Sequence, residues 1–483
     1  MTETRGILRV LLVLPLMILL GMGCSDTGST APEEEDGTDS APLDQDCELG
    51  EWTEWSVCSA ECDGGEQSRT RPIVTEPSGA GALCESTEEV QACNDDPCLR
   101  INHMQVRGTH NSYKIQPSDS LQAGINAFAP QGLDPRGLVH THAPLAEQLE
   151  TQLIRQFELD VWIDPLGGLF AEPFGPTLID FMHQAYAGTA LDFGPAGEDF
   201  DPLDEMSLPG FKVFHVQDID HRSRCLSLAV CLESIRAWSE ENPNHLPVAI
   251  LIELKSDTFD PEILAPLYQF LVAAPDPTPS FTTPIPWELE DGEDYSDSAL
   301  QALEDQIRDV FTDSQLLTPD TVRGDYDTMM DAISAVGWPK VSDSLGKVMF
   351  LLDNGGALQA SYVAEYPRLR DAVFFVSADP ASDEAGYFQA NDPFRTGPTI
   401  EELVGQGFMV RSRSDAENVE ADANDTARRD RALASGAHWV STDYPVPAES
   451  GYVLSLPGVS EGAAARCNPV SAPPNCSEEA LAE

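Results

Sequence analysis

QFELDVW, residues 156–162, is the stretch on which the fold turns. Its apolar residues suit a buried strand, yet Glu158 and Asp160 flank Leu159, so alternation puts both carboxylates on one face. Other short β-rich runs occur at Met104–Thr109, Phe211–Val216, Val248–Leu254, Lys347–Leu352, Ala372–Val376, Gly407–Arg413 and His438–Thr442. Stretches with helical spacing lie between them, among them Leu145–Arg155, Leu226–Glu240 and Thr426–Ser435. Buried-type strands alternating with helices predict an α/β fold with a parallel sheet, and a count of eight predicts a closed (β/α)8 TIM-type barrel. Asp276–Gly324 reads as a mainly acidic insertion, and residues 165–208 as an insertion after strand two.

Chemistry in such barrels sits at the C-terminal ends of the strands. Strand one ends in His110 and Asn111, strand two carries Glu158 and Asp160, and strand three ends near His215. Strand four gives Glu253 and Lys255, strand seven Arg411, Arg413 and Asp415, and strand eight Asp443 and Tyr444. Three carboxylates converging inside a barrel repel one another, and a hard cation with oxygen ligands is the usual remedy. Asn111, Glu158, Asp160 and Glu253 supply only oxygen, which favours Ca²⁺ over zinc. Two histidines from different strands can act as acid and base across a phosphodiester. Lys255, Arg411 and Arg413 can hold phosphate or substrate hydroxyl groups. Together these groups describe phosphoryl transfer in which a metal lowers the pKa of a hydroxyl.

The ordered set GTHNSY (108–113), QxxxQxELDVW (152–162), FHVQD (214–218) and PVAILIELK (247–255) resembles the calcium-dependent phosphoinositide-specific phospholipase C family. MVRSRSD (409–415) followed by ALASGAHWVSTDYP (432–445) is similar to its secreted bacterial branch. The resemblance covers most of residues 101 to 448 and implies cleavage between diacylglycerol and phosphate at a membrane surface. The inositol 2-hydroxyl would attack phosphorus and give a cyclic inositol phosphate. It also implies His110 and His215 as catalytic histidines, Asn111, Glu158, Asp160 and Glu253 as calcium ligands, and Lys255 as a phosphate contact. Arg411, Arg413 and Tyr444 are taken as further substrate-binding residues. The chain departs from the family pattern in lacking two recognisable barrel halves and any C2-like or pleckstrin-like unit.

Blander readings stand beside these. His140-Thr-His142 imitates the HxH zinc signature of amidohydrolases, but it precedes a helix rather than closing a strand, so a structural or rim role is expected. Asp218 and Asp220 either orient His215 or sit in a solvated loop. A glycerophosphodiester phosphodiesterase would share the barrel, the histidines and the metal, but that family usually begins with His-Arg-Gly, and here Asn111 follows His110.

Over 483 residues, 27 basic side chains against 82 acidic ones leave a formal charge of −55. That excludes a nucleic-acid partner, which needs clustered Lys and Arg, and argues against attraction to an anionic membrane. Only Lys114, Lys212, Lys255, Lys340 and Lys347 are lysines, a composition suited to a saline habitat. At the N-terminus, Arg5 and Arg9 precede an apolar run from Val10 to Leu20, which reads as a secretory signal over residues 1–23. Cys24, directly after Gly23, resembles the lipidated cysteine of a bacterial lipobox. The expected location is therefore a bacterial cell surface or outer membrane, or else secretion. Residues 24–45 are rich in Ser, Thr, Pro, Asp and Glu and read as a disordered tether.

Setting Cys24 aside leaves ten cysteines in an exported chain, where disulfides persist. Six fall between Cys47 and Cys98, and the others form two close pairs, Cys225 with Cys231 and Cys467 with Cys476. Trp52 and Trp55 precede Cys58 and Cys62, and Arg69 and Arg71 share one face of an extended strand, where they can interleave with the indoles as a cation–π ladder. Six cysteines alone allow fifteen pairings. The pattern resembles a thrombospondin type 1 repeat over about residues 46–99, and that resemblance implies Cys47–Cys84, Cys58–Cys93 and Cys62–Cys98. It also implies either a glycan or cell-surface partner or a stiff spacer. An adhesion protein with an inactive barrel is the reading from another class. The expected order is thus signal 1–23, tether 24–45, repeat 46–99, barrel 100–466 and a disulfide-bearing tail 467–483.

Overall fold

The computed structural model describes residues 43–128, 134–256 and 295–483. The signal peptide, Cys24, most of the tether and the first part of the acidic insertion lie outside the described residues. The chain forms two compact units, residues 43–59 with 66–92, and residues 60–65 with 93–483.

In the smaller unit the guanidinium of Arg69 lies between two indoles, 5.0 Å from the Trp52 ring and 4.6 Å from that of Trp55. Arg71 covers Trp52 from 4.5 Å, which completes the ladder. Glu89 holds Arg69 at 2.6 Å, and Cys47 is bonded to Cys84. So thin a unit buries little apolar surface, so cross-links and stacked cations stand in for a core. Cys62 is bonded to Cys98, and Cys58 and Cys93 are both disulfide-bonded.

The larger unit contains eight parallel strands in an almost closed ring. They are β1 (Met104–Thr109), β2 (Gln156–Asp164), β3 (Val248–Lys255), β4 (Val348–Leu352), β5 (Phe374–Val376), β6 (Tyr387–Gln389), β7 (Met409–Arg413) and β8 (Trp439–Thr442). Hydrogen bonding runs β5-β4-β3-β2-β1-β8-β7-β6, and a parallel bridge from Ser377 to Tyr387 links the two ends. The α/β barrel expected from the alternating runs is therefore present, with two corrections. Phe211–Val216 is not the third member of the ring. Gly210–Val213 instead pairs antiparallel with the far end of β2, Val161–Asp164. β1 meets β2 only at Gly108 and Gln156, so that edge of β2 is open further along, while β3 occupies the other edge. The missing strand is β6, three residues long and too short to stand out by pattern.

Helices pack the outer surface of the ring. Leu228–Glu241 buries Leu228, Cys231, Leu232, Ile235 and Trp238, and the Cys225–Cys231 disulfide ties its first turns to the preceding loop. Asp297–Val310 corrects the reading of an acidic insertion. Asp297, Asp305 and Asp309 are exposed, but Leu300, Leu303 and Ile307 enter the main core, Glu304 is buried beside them, and Ser296 caps the start of the helix by accepting from the Ala299 N–H. At the C-terminal end, Ala465–Cys467 pairs antiparallel with β1, and Cys467 is bonded to Cys476.

Leu303 is fully buried in that helix and Asp305 is exposed. Leu303→Ala is expected to cost about 2–5 kcal/mol of barrel stability, and Asp305→Ala less than about 0.5 kcal/mol. Urea unfolding followed by far-ultraviolet circular dichroism measures both, and equal midpoints would contradict the core assignment.

Candidate active site at the strand ends

Register brings the reactive side chains to one level. Asp160 pairs with Glu253 across β2 and β3, and Ile252 pairs with Leu352 across β3 and β4, so the next step sets Glu253 beside Asp353. On the other side Gly108 pairs with Gln156 and Thr442 with Thr109, so the next steps bring His110 toward Glu158 and Asp443. Gly108 has a local reason to be glycine. A Cβ there would stand 1.9 Å from Oε1 of Gln156, which crosses the barrel interior at that point.

Glu158, Glu253 and Asp353 each turn a carboxylate oxygen into a cluster within 4.8 Å. Asp160 is also buried, with Lys255 Nζ 3.1 Å from its Oδ2, while its Oδ1 has no hydrogen-bond partner. The same holds for Oδ1 of Asp353. Lys255 also bonds Glu253 at 2.8 Å. Asn111 is buried in a left-handed backbone conformation (φ 47°), with its Nδ2 unpartnered. Burial pushes the Glu158 and Asp160 carboxyls up, against the pull of Arg411 on the first and Lys255 on the second. Burial, with Glu158 adding repulsion, raises Asp353 to about 7.

Four carboxylates less Lys255 and Arg411 leave two negative charges when all are ionised. Orphaned buried oxygens, an all-oxygen donor set and that residual charge fit a hard divalent cation such as calcium. Asp353 is the acid that sequence reasoning missed. It directly follows the run Lys347–Leu352, so the strand-end rule applied to that run would have found it.

Each histidine has a carboxylate on Nδ1. His110 Nδ1 lies 2.7 Å from Asp443 Oδ1, and His215 Nδ1 lies 2.6 Å from Asp220 Oδ2. Asp220 also holds Lys114. Burial pushes Asp220 up, but Lys114 and His215 outweigh it and bring the carboxyl down to about 2. Of the two acids after His215, Asp220 is thus the orienting one, while Asp218 accepts from the Phe174 N–H at 2.7 Å. Burial lowers both imidazoles, His110 well below its ordinary range, with Arg413 adding to the effect.

The cations divide. Arg413 reaches Asp443 Oδ2 at 3.4 Å. Arg411 is fully enclosed and bonds Glu158, Asn391 and the Ser441 hydroxyl, which leaves it no face for the substrate contact expected of it. Its role in the fold is to hold Glu158. The Tyr444 ring stands edge-on to Tyr452 at 6.1 Å, and its N–H donates to Thr442 Oγ1. A cleft of about 630 Å³ opens at the strand ends, lined by Trp162, His215, Glu253, Lys255, Tyr295 and Asn354 among others.

A cation must displace any proton held by Asp353. Calcium binding is therefore expected to weaken as the pH falls through about 7. Isothermal titration at pH 8 and pH 6 should show roughly a tenfold loss for one displaced proton, and a flat profile would place the ion elsewhere.

Several known proteins are similar to this chain. Residues 47–98 match the spondin-like thrombospondin type 1 domain. Spondin-1 of Rattus norvegicus is 43% identical over 77 residues, covering 16% of this chain and 10% of its own length. Spondin-1 of Homo sapiens is 46% identical over the same length, with the same coverage. The chain thus spans about a tenth of the length of the curated relatives it matches. Among solved structures, a calcium-dependent phosphoinositol-specific phospholipase C from a Pseudomonas sp. is 13% identical, covering 76% of this chain and 95% of its own, with a TM-score of 0.40. A calcium-dependent phosphatidylinositol-specific phospholipase C from Streptomyces antibioticus is 15% identical, with coverage of 72% and 95% and a TM-score of 0.37. Residues 99–469 match the family described as phosphoinositide phospholipase C, Ca²⁺-dependent, and by that match over most of its length the chain belongs to this family.

Proposed function

We propose that the chain cleaves phosphatidylinositol-type lipids between diacylglycerol and phosphate, with calcium as cofactor. The observation that carries this reading is the pair of imidazoles, each oriented through Nδ1 by a buried carboxylate, beside a cluster of acidic oxygens. Such pairing leaves Nε2 of each ring free to exchange a proton with substrate. One neutral ring takes the proton of the inositol 2-hydroxyl as its oxygen bonds to phosphorus. The bond from phosphorus to the diacylglycerol oxygen breaks, and the other ring, which takes up a proton from solvent on Nε2 before the step, donates that proton to the leaving oxygen. The product is a cyclic inositol phosphate. Calcium, when bound, lowers the pKa of the attacking hydroxyl and offsets charge on the phosphate oxygens.

Glu158, Glu253 and Asp353, with Asn111 and Asp160 beside them, are the residues to hold the ion. In this reading Lys255 and Arg413 hold phosphate or inositol hydroxyls, and Arg411 and Asp220 act as positioning residues. The disulfides place the protein in an oxidising, exported compartment. Anchoring through a lipid on Cys24, with residues 24–45 as tether, completes the reading. The repeat at 46–99 then supplies a glycan or cell-surface contact near the lipid substrate.

Product analysis on phosphatidylinositol tests the activity directly. A cyclic phosphate is expected with calcium and none after chelation, whereas cleavage of glycerophosphoinositol alone would favour the glycerophosphodiesterase reading. His110→Ala and His215→Ala are each expected to lose about 10²–10⁴ in kcat. Asp220→Asn should lower kcat by about 10² with little change in KM, because it affects ring orientation and tautomer rather than lipid binding. An unchanged kcat in that variant would remove Asp220 from the mechanism.

A further inference from the structure

His140-Thr-His142 has no part in the reaction just described, yet both rings are buried beside His110. The His140 ring lies 6.2 Å from that of His110 and 5.4 Å from that of His142. Nε2 of His142 meets the His110 backbone oxygen at 2.9 Å, which accounts for one of its nitrogens. His140 differs, since neither of its ring nitrogens has a hydrogen-bond partner. A buried polar group left in that state is costly and calls for a ligand. Its Nε2 points toward Asp443 Oδ1 at 3.6 Å, the same oxygen that His110 Nδ1 meets at 2.7 Å. Arg413 faces the other carboxylate oxygen, Oδ2, at 3.4 Å and so leaves Oδ1 to the two imidazoles.

We propose that His110, His140 and Asp443 form a second metal site, one that takes a nitrogen-preferring divalent cation such as zinc and is separate from the oxygen cluster of Glu158, Glu253 and Asp353. Their three donor atoms lie within 4.8 Å of one another. In a tetrahedral zinc site with bonds near 2.0–2.1 Å, ligand atoms stand roughly 3.3 Å apart. The distances of 2.7 and 3.6 Å about Asp443 Oδ1 bracket that spacing. Two imidazoles and one carboxylate leave a fourth position open, as in zinc sites that bind water or a small anion. Donor type separates the two sites, because imidazole suits zinc and carboxylate oxygens suit calcium.

Occupation has a consequence that rests on the proposed function. Zinc on His110 Nδ1 takes the place of the link to Asp443 that orients the ring and blocks its cycling between protonation states. Zinc then inhibits diester cleavage without competing for the calcium ligands.

The full chain, stripped of metal and then held in saturating calcium, is dialysed against zinc and its metal content measured. One zinc per chain is expected in addition to calcium, with zinc X-ray absorption showing two imidazoles. His140→Gln should weaken zinc binding at least tenfold, while Glu253→Gln weakens calcium and leaves zinc within about threefold. Zinc inhibition of phosphatidylinositol cleavage should shift by the same tenfold in His140→Gln. No retained zinc, zinc displaced by calcium, an absorption spectrum without imidazole, or wild-type zinc affinity in His140→Gln would each overturn the site. If His140→Gln fails to fold, the imidazole count in the unaltered protein decides the matter. A chain that binds zinc in this way but cleaves no phosphatidylinositol would uphold the site and remove the function.

Discussion

Crowding of like charge at one level of the ring is the constraint on which the rest of this structure depends. Parallel pairing fixes Asp160 against Glu253, and one further step sets Glu253 beside Asp353. Glu158 joins them from the strand already carrying Asp160. Carboxylates in a low-dielectric interior repel one another and lose hydration together, so they must be neutralised or paired. The surrounding molecule supplies both remedies. Arg411 is threaded through the interior to Glu158, and Lys255 lies between Glu253 and Asp160. The charge left over is that of a divalent cation, which accords with the family to which the chain belongs.

The two histidines are held by similar chemistry through different means. Asp443 is 333 residues from His110 in the chain, so that pair exists only once β8 has closed against β1. Asp220 is five residues from His215, and a turn with a bridge from Val216 to Asp220 is enough to bring them together. One histidine–carboxylate pair is therefore a product of ring closure and the other of a local loop. Their charge balance differs too. Lys114 shares Asp220 and helps to hold it ionised, whereas Asp443 is shared between His110, His140 and Arg413. Sharing one oxygen between two imidazoles makes the Asp443 corner the place where a second kind of metal can compete with a proton.

Much of the barrel could be read from hydrophobic runs, since strands buried on both faces appear as short, nearly continuous apolar segments. The runs ending near Thr109, Trp162, Leu254, Leu352, Val376, Arg413 and Thr442 all became ring strands. Phe211–Val216 had the same local character but joined the open edge of β2 in the opposite direction, because strand direction is a property of pairing rather than of composition. Tyr387–Gln389 carried too few residues for any period to show. Asp297–Val310 looked like acidic filler because its charges outnumber its leucines, yet helical spacing gathers the apolar residues onto a single buried stripe.

The amino-acid sequence by itself determined which chemistry was available: paired imidazoles, oxygen donors in place of thiolates, a cysteine-rich repeat with its Trp–Arg ladder, and strand ends as the meeting place. These are matters of residue type and short spacing, and they survive without knowledge of the fold. Tertiary structure alone decided which of those groups meet. Asp353 enters the acidic cluster, Arg411 is consumed inside the barrel, Asp220 pairs with His215, and Asp443 bonds His110 while the His140 ring stands 3.6 Å from the same oxygen. The Asp220 pairing is made by a local turn, whereas the others depend on contact between segments far apart in the chain, fixed only when the ring closes and its core packs.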